Sequence, residues 1–214
     1  GAKGIHVTGS LRAAAPPLAA DPDKLAETRE ALTGRNPVLL ASSHPEDEFV
    51  ALSALRAAHP RPCLLIAPRD PHRGAEIATR VAEHGLTATR RSAGQGPTAD
   101  VWIVDTFGEM GLWYRLCATT LIGGTFGPTE GHNPWEPAAL GCAILHGPRT
   151  ANFAADFAAL HQAGAAEAVQ PEAVIAALTA DHSAMATRAK ALSDTAQGAL
   201  ASLAADLLKL AGLK

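Results

Sequence analysis

The sequence predicts a doubly wound parallel α/β sheet, and three observations carry that reading. Six short runs, at residues 37–42, 62–67, 86–89, 101–104, 119–122 and 142–145, have strand length, and most are wholly apolar, as expected of strands covered on both faces. The segments between them have helical composition and open on capping signals. Strands alternate with helices, which calls for crossover connections and therefore parallel pairing.

Taken in order, residues 1–22 hold a short extended segment and the proline-rich stretch Ala13-Ala14-Ala15-Pro16-Pro17, so residues 1–20 read as a linker and residues 21–214 as one domain. A helix over residues 23–33 is closed by Gly34 before the first strand. Ser43-His44-Pro45-Glu46 has the form of a capping box for a helix to about Ala58. After the second strand, Asp70-Pro71 supplies an N-cap and first helical residue for a helix to about His84. Thr106-Phe107-Gly108-Glu109 reads as a second capping box, and Asn133-Pro134-Trp135-Glu136 as a third. Helices are expected over residues 151–162, 171–180 and 183–210. The last carries an apolar stripe of Met185, Ala189, Leu192, Ala196, Ala199, Leu203, Leu207 and Leu210.

The composition excludes several functions. The chain has 214 residues, 47% hydrophobic and 18% charged, with a net charge of −3, so it is neither a disordered chain nor a basic nucleic-acid binder. Cys63, Cys117 and Cys142 are odd in number and lie in apolar runs, which points to buried reduced thiols. No histidine or cysteine spacing matches a metal motif, and no apolar stretch is long enough to span a bilayer, so a soluble chain without a structural metal is expected.

The chemistry concentrates between Val101 and Pro148. Gly123-Gly124 follows a strand and leads through a polar loop to His132-Asn133-Pro134-Trp135-Glu136, so backbone N–H groups and a helix start would converge on an anion there. Glu46, Glu109 and Glu136 each fit a capping role; Glu136, between two prolines after a glycine loop, also suits two ribose hydroxyls. Arg69 and Arg149 each follow a strand beside proline and are either solvated or phosphate clamps. With a strand order of 3-2-1-4-5-6, Ser42, Ser43 and His44 would face Asp105, Thr106 and Gly108 across one crevice, flanked by the Arg69 turn and the Gly123 loop. No dinucleotide fingerprint, Walker loop or nucleophile elbow is present, which argues against nicotinamide, flavin, P-loop and serine-hydrolase chemistry.

The run L-I-G-G-T-F-G-P-T-E-G-H-N-P-W-E-P-A-A-L-G at residues 121–141 resembles the C-terminal half of the 3-deoxy-D-manno-octulosonic acid (Kdo) transferases. So do V-D-T-F-G-E-M at 104–110, G-P-R-T-A-N-F at 147–153, A-S-S-H-P-E-D-E at 41–48, I-A-P-R at 66–69 and V-T-G-S-L-R at 7–12. The resemblance implies a Rossmann-like half of a GT-B, inverting glycosyltransferase. Its donor would be CMP-Kdo and its acceptor a lipid A precursor of lipopolysaccharide synthesis. It implies nucleotide contacts at Pro68, Arg69, Thr106, Gly108, Glu109, Asn133 and Glu136, joined by Gly124 of the glycine loop. Ser43, His132 and Arg149 are candidate phosphate or sugar contacts. It further implies that no metal takes part, that the catalytic base belongs to an N-terminal domain outside this sequence, and that this chain alone is inactive. The parent enzyme would sit on the cytoplasmic face of the bacterial inner membrane. A donor domain for a UDP-linked sugar, or a nucleotide-binding interaction domain, is the alternative that the residues leave open.

Overall fold

The structure, a computed structural model, describes residues 10–210. The first part of the linker segment, and of the motif at residues 7–12, lies outside the described residues. One seven-stranded sheet is formed, all of its pairings parallel, from β1 (Pro37–Ser43), β2 (Cys63–Pro68), β3 (Ala88–Arg90), β4 (Val101–Ile103), β5 (Thr119–Ile122), β6 (Ala143–His146) and β7 (Ala166–Ala168). The helices are α1 (Pro22–Ala31), α2 (Pro45–Ala57), α3 (Gly74–Glu83), α4 (Met110–Leu116), α5 (Trp135–Ala139), α6 (Ala154–Gln162), α7 (Val174–Thr179) and α8 (Ser183–Leu210).

Both faces of the sheet are covered. Val38 and Leu40 of β1 enter one apolar cluster with Leu52 and Leu55 of α2 and Ile77 and Val81 of α3. Leu39 and Ala41, one residue out of phase, enter another with Leu112, Trp113 and Cys117. That period of two with no polar face explains the uninterrupted apolar strand runs. A third cluster joins Ile122 and Ile144 to Trp135, Phe157 and Ala189. The three cysteines are buried and unpaired.

The strand order is β3-β4-β2-β1-β5-β6-β7, not the order expected from the sequence. β4 is inserted between β2 and β3. The reason is compositional: Val101, Trp102 and Ile103 are all buried and need neighbours on both sides, whereas Ala88, Thr89 and Arg90 are half-exposed and suit an edge. The order therefore reverses between β1 and β5, where the connection after β4 returns across the sheet. The short edge strand β7 was not anticipated; two of its three residues, Glu167 and Ala168, are exposed, so no apolar run marks it.

Several helix starts also shift. The cap of α2 is His44, whose backbone N–H is accepted by Asp47, so the box lies one residue later than Ser43-x-x-Glu46. α4 starts at Met110 with no side-chain cap, so Thr106 and Glu109 form no capping box. α5 starts at Trp135, one residue after the expected position, although Asn133 Oδ1 still accepts the Trp135 N–H at 3.1 Å. Thr150 caps nothing with its side chain, and residues 151–153 form a 3-10 turn before α6. The stripe of α8 is buried at Met185 and Ala189, but Ala199 and Leu207 are exposed, and the Leu210 side chain lies outside the described residues. Residues 13–19 lie against the domain: Ala13 is buried, its carbonyl accepts from Ser193 Oγ at 3.3 Å, and Gly111 gives room to the Ala19 carbonyl.

Candidate functional site

The strand-order reversal opens a crevice of about 360 Å³ at the carboxyl ends of β1 and β5, lined by Ser42, Arg69, Tyr114, His132, Asn133 and Glu136 among others. β1 ends in an irregularity. Its register with β2 slips between Ala41 and Ser43, and Ser42 sits at φ 55°, a left-handed conformation uncommon for serine. Gly123 passes so close that a Cβ there would lie 2.3 Å from the Ser42 carbonyl oxygen, so only glycine fits.

The glycine loop is held differently from the expectation. Gly124 N–H donates to Asp47 Oδ2 at 2.6 Å and Phe126 N–H to Asp47 Oδ1 at 3.1 Å, while Gly123 N–H donates to the Ala41 carbonyl at 2.8 Å. The anion that the loop's amides bind is therefore a carboxylate of the chain itself, and Gly124 is not free to hold a ligand phosphate. Asp47, fully buried, accepts from three amides counting that of His44, and so ties the β1–α2 turn to the loop that carries Asn133 and Glu136. Burial raises its pKa, opposed by the three N–H bonds.

Glu136 is half-buried in the crevice. Burial raises its pKa, while a long contact from Asn133 Nδ2 at 3.4 Å and the Arg69 charge pull it down. Arg69 is placed by the end of β2, where its N–H donates to the Ser43 carbonyl at 3.1 Å and its side chain reaches the crevice. Pro68 is the last residue of β2. His132 meets His44, with Nε2 atoms 2.8 Å apart; burial, His44 and Arg69 together hold its pKa down to about 4.

The remaining expected residues are not brought to this crevice. With β4 on the far side of β2, Thr106, Gly108 and Glu109 do not face Ser42 and Ser43. Glu109 is held by Arg91 through Nε and Nη2 of its guanidinium, by Lys24 at 3.1 Å and by Thr106 Oγ1, and these partners lower its pKa to about 2. Asp105 is spoken for by Arg90 and Ser92, and Gly74 leaves the space it fills. Arg149 pairs with Glu130 at 2.9 Å. Ser43 is fully buried and donates to Glu48 at 2.8 Å, so its hydroxyl is directed inward. Glu46 is exposed, against Gly127.

No family model matches the chain. Its sequence is 37% identical over 164 residues to the 3-deoxy-D-manno-octulosonic acid transferase of Bordetella pertussis, a match covering 72% of this chain and 38% of that protein. It is 36% identical over 134 residues to a probable mitochondrial 3-deoxy-D-manno-octulosonic acid transferase of Arabidopsis thaliana, covering 59% and 30%. The fold matches the C-terminal CMP-Kdo binding domain of WaaA from Acinetobacter baumannii with a TM-score of 0.68 and 27% identity, over 83% of this chain and 96% of that one. This chain belongs to the Kdo transferase family. It spans about a third of the length of the curated relatives it matches, 38% of one and 30% of another, and corresponds to their C-terminal, α/β part.

Within this Kdo transferase domain, three features escaped the sequence reading. The Ser42 conformation leaves no trace in composition. The His44–His132 bond joins residues 88 apart. The fully buried Glu48, held by Arg73 through two bonds of 2.8 Å, sits behind Ser43 and braces the turn from within. Asp47 did leave a signal, since a carboxylate three residues after His44, before an apolar run, is the capping pattern displaced by one. Among the described residues no group of three or more His, Cys, Asp or Glu side chains is placed to share a metal ion, and no helix is long and apolar enough to cross a membrane.

Proposed function

We propose that this chain is the donor half of a Kdo-transferring glycosyltransferase and binds CMP-Kdo in the crevice between β1 and β5. The observation that carries the reading is the convergence of Arg69, Asn133 and Glu136 on one crevice, in a chain that matches the C-terminal CMP-Kdo binding domain of WaaA along almost its whole length. Arg69 is the phosphate ligand, its planar guanidinium matching two phosphate oxygens. Glu136 accepts the ribose hydroxyls and Asn133 orients it. Burial of the Glu136 carboxylate favours such a partner, because a half-buried acceptor gains from hydroxyl donors that replace lost water.

Transfer is direct displacement at the anomeric carbon, with the acceptor hydroxyl of a lipid A precursor deprotonated by a carboxylate from the part of the enzyme that this chain does not match. Arg69 stabilises the departing CMP phosphate by charge and no metal takes part. Of the candidate carboxylates, Glu109 lies outside the crevice, Asp47 is saturated with donors and Glu136 serves the ribose, so the domain binds donor without turning it over. The whole enzyme works at the cytoplasmic face of the bacterial inner membrane, where its lipid acceptor is made.

Glu136→Gln tests the assignment. CMP affinity should fall about tenfold or more, as expected for a charge-assisted hydroxyl pair, while affinity for 2′,3′-dideoxy-CMP stays near the wild-type value. An unchanged ratio between the two ligands would remove Glu136 from the ribose site.

A further inference from the structure

His44, in the turn between β1 and α2, and His132, in the loop before α5, place their Nε2 atoms 2.8 Å apart. Their planes are 7° from parallel and their centroids 5.1 Å apart. With that N···N distance the rings meet edge to edge in one plane and share an N–H···N bond; they do not stack face to face. A neutral imidazole carries one N–H and one bare nitrogen. The neutral pair spends one N–H between the rings, so it offers outward one Nδ1–H donor and one Nδ1 acceptor. One added proton makes both Nδ1 atoms donors and gives the pair a positive charge. Among the described residues neither Nδ1 has a protein partner at hydrogen-bond distance, although the His44 side chain faces the Asp47 amide as the cap of α2.

His132 lines the crevice beside Arg69. The charged groups facing the pair come from three directions. Arg69, on the turn after β2, repels a proton on His132; Glu136, on α5, answers Arg69 across the crevice; Asp47, on α2, lies beside His44 with its oxygens taken up by amides. Glu46 stands at the rim against Gly127. A phosphate docked on Arg69 reverses this balance, since it neutralises the guanidinium that repels the proton and adds negative charge near the bare Nδ1.

We infer that the His44–His132 pair takes up one proton from solvent when an anionic phosphate docks beside Arg69, and so forms the second cationic arm of the donor's anion subsite. The inference rests on the donor-binding reading above and deepens it. Its sign follows from linkage. His132 is low in the ligand-free protein and rises in the complex, so between those two values the complex holds the extra proton. Affinity is then gained as pH falls and lost as pH rises through the bound value, by at most about tenfold per pH unit.

The experiment is calorimetric titration of the chain with CMP in PIPES and in Tris, whose different ionisation heats report proton uptake, between about pH 6 and pH 8. Cytidine and inorganic pyrophosphate are run in parallel, with His44→Asn and His132→Asn. Free CMP itself titrates near a pH of about 6, so the readout is the wild-type proton count minus that of each variant. Wild type should take up a proton with CMP and with pyrophosphate and none with cytidine, and both folded variants should lose that uptake. Equal proton counts in wild type and variants would overturn the inference. If the variants do not fold, nitrogen-15 spectra of the wild-type histidines decide, since added CMP must move His132 or His44 from a neutral to an imidazolium signature; no such movement overturns it. Proton uptake with pyrophosphate alongside equal affinity for CMP and UMP would leave the pair's role standing and sink the CMP-Kdo reading. Absence of binding by either anion would sink both.

Discussion

Asp47→Ala should destabilise the chain by about 3 kcal/mol or more, because it takes the acceptor from three backbone donors at once. The His44 amide loses a cap, which costs about 1 kcal/mol. The Gly124 and Phe126 amides lose theirs inside the loop, and an unsatisfied buried donor costs about 1–3 kcal/mol each. The sum, about 3–7 kcal/mol, is reduced by relief of the carboxylate's own burial, which already raises its pKa. Asp47→Asn keeps the shape and one acceptor oxygen, turns one amine toward a donor, and sheds the charge, so it should cost about 1–2 kcal/mol. The ordering is therefore wild type, then Asn, then Ala, within a total stability on the order of 5–15 kcal/mol. Urea unfolding followed by fluorescence of the buried Trp102, Trp113 and Trp135 measures it directly. An alanine variant within about 0.5 kcal/mol of wild type would show that water replaces the carboxylate and that Asp47 does not hold the loop.

Arg73→Met should cost about 3–5 kcal/mol, since it leaves the fully buried Glu48 carboxylate without its two-bond partner; the double variant with Glu48→Gln should recover much of that loss in the same urea assay. Arg91→Leu removes the main cause of the lowered Glu109 pKa. The carboxylate's stabilising contribution is present above the unfolded value near 4.5 and is lost as pH falls toward about 2, so the stability gap between wild type and variant should be full at neutral pH and close across that window. A gap independent of pH would mean that Arg91 acts through its packing over Trp102 and Trp113 instead.

Much of the architecture was legible because strand burial writes itself into composition. Pro37–Ser43 and Cys63–Pro68 are covered on both faces and read as apolar runs, and Asp70 and Asn133 announce helix starts with side chains that do accept local amides. The strand order was not legible from the alternation of elements alone. The clue was the contrast between Val101-Trp102-Ile103 and Ala88-Thr89-Arg90, one suited to the middle of a sheet and one to its edge. At the site, Arg69, Asn133 and Glu136 were read from local signals and do share a crevice. Thr106 and Gly108 were placed opposite Ser42 and Ser43 by the expected strand order, which the inserted β4 changes; their nucleotide role, like that of Glu109, rested on the resemblance. Gly124 was read as a donor to a ligand because glycine-rich turns bind anions; the sequence does not say that the anion is Asp47, 77 residues earlier. Long-range pairings of this kind, like His44 with His132, are set by tertiary packing and have no local pattern.

The most direct test of the central claim is calorimetry of this chain with CMP, UMP and AMP, each with and without EDTA. The account predicts that CMP binds more tightly than UMP or AMP, that EDTA changes nothing, and that Arg69→Ala removes most of the preference for CMP over cytidine. Equal affinity for the three nucleotides, or binding to none of them, would contradict it.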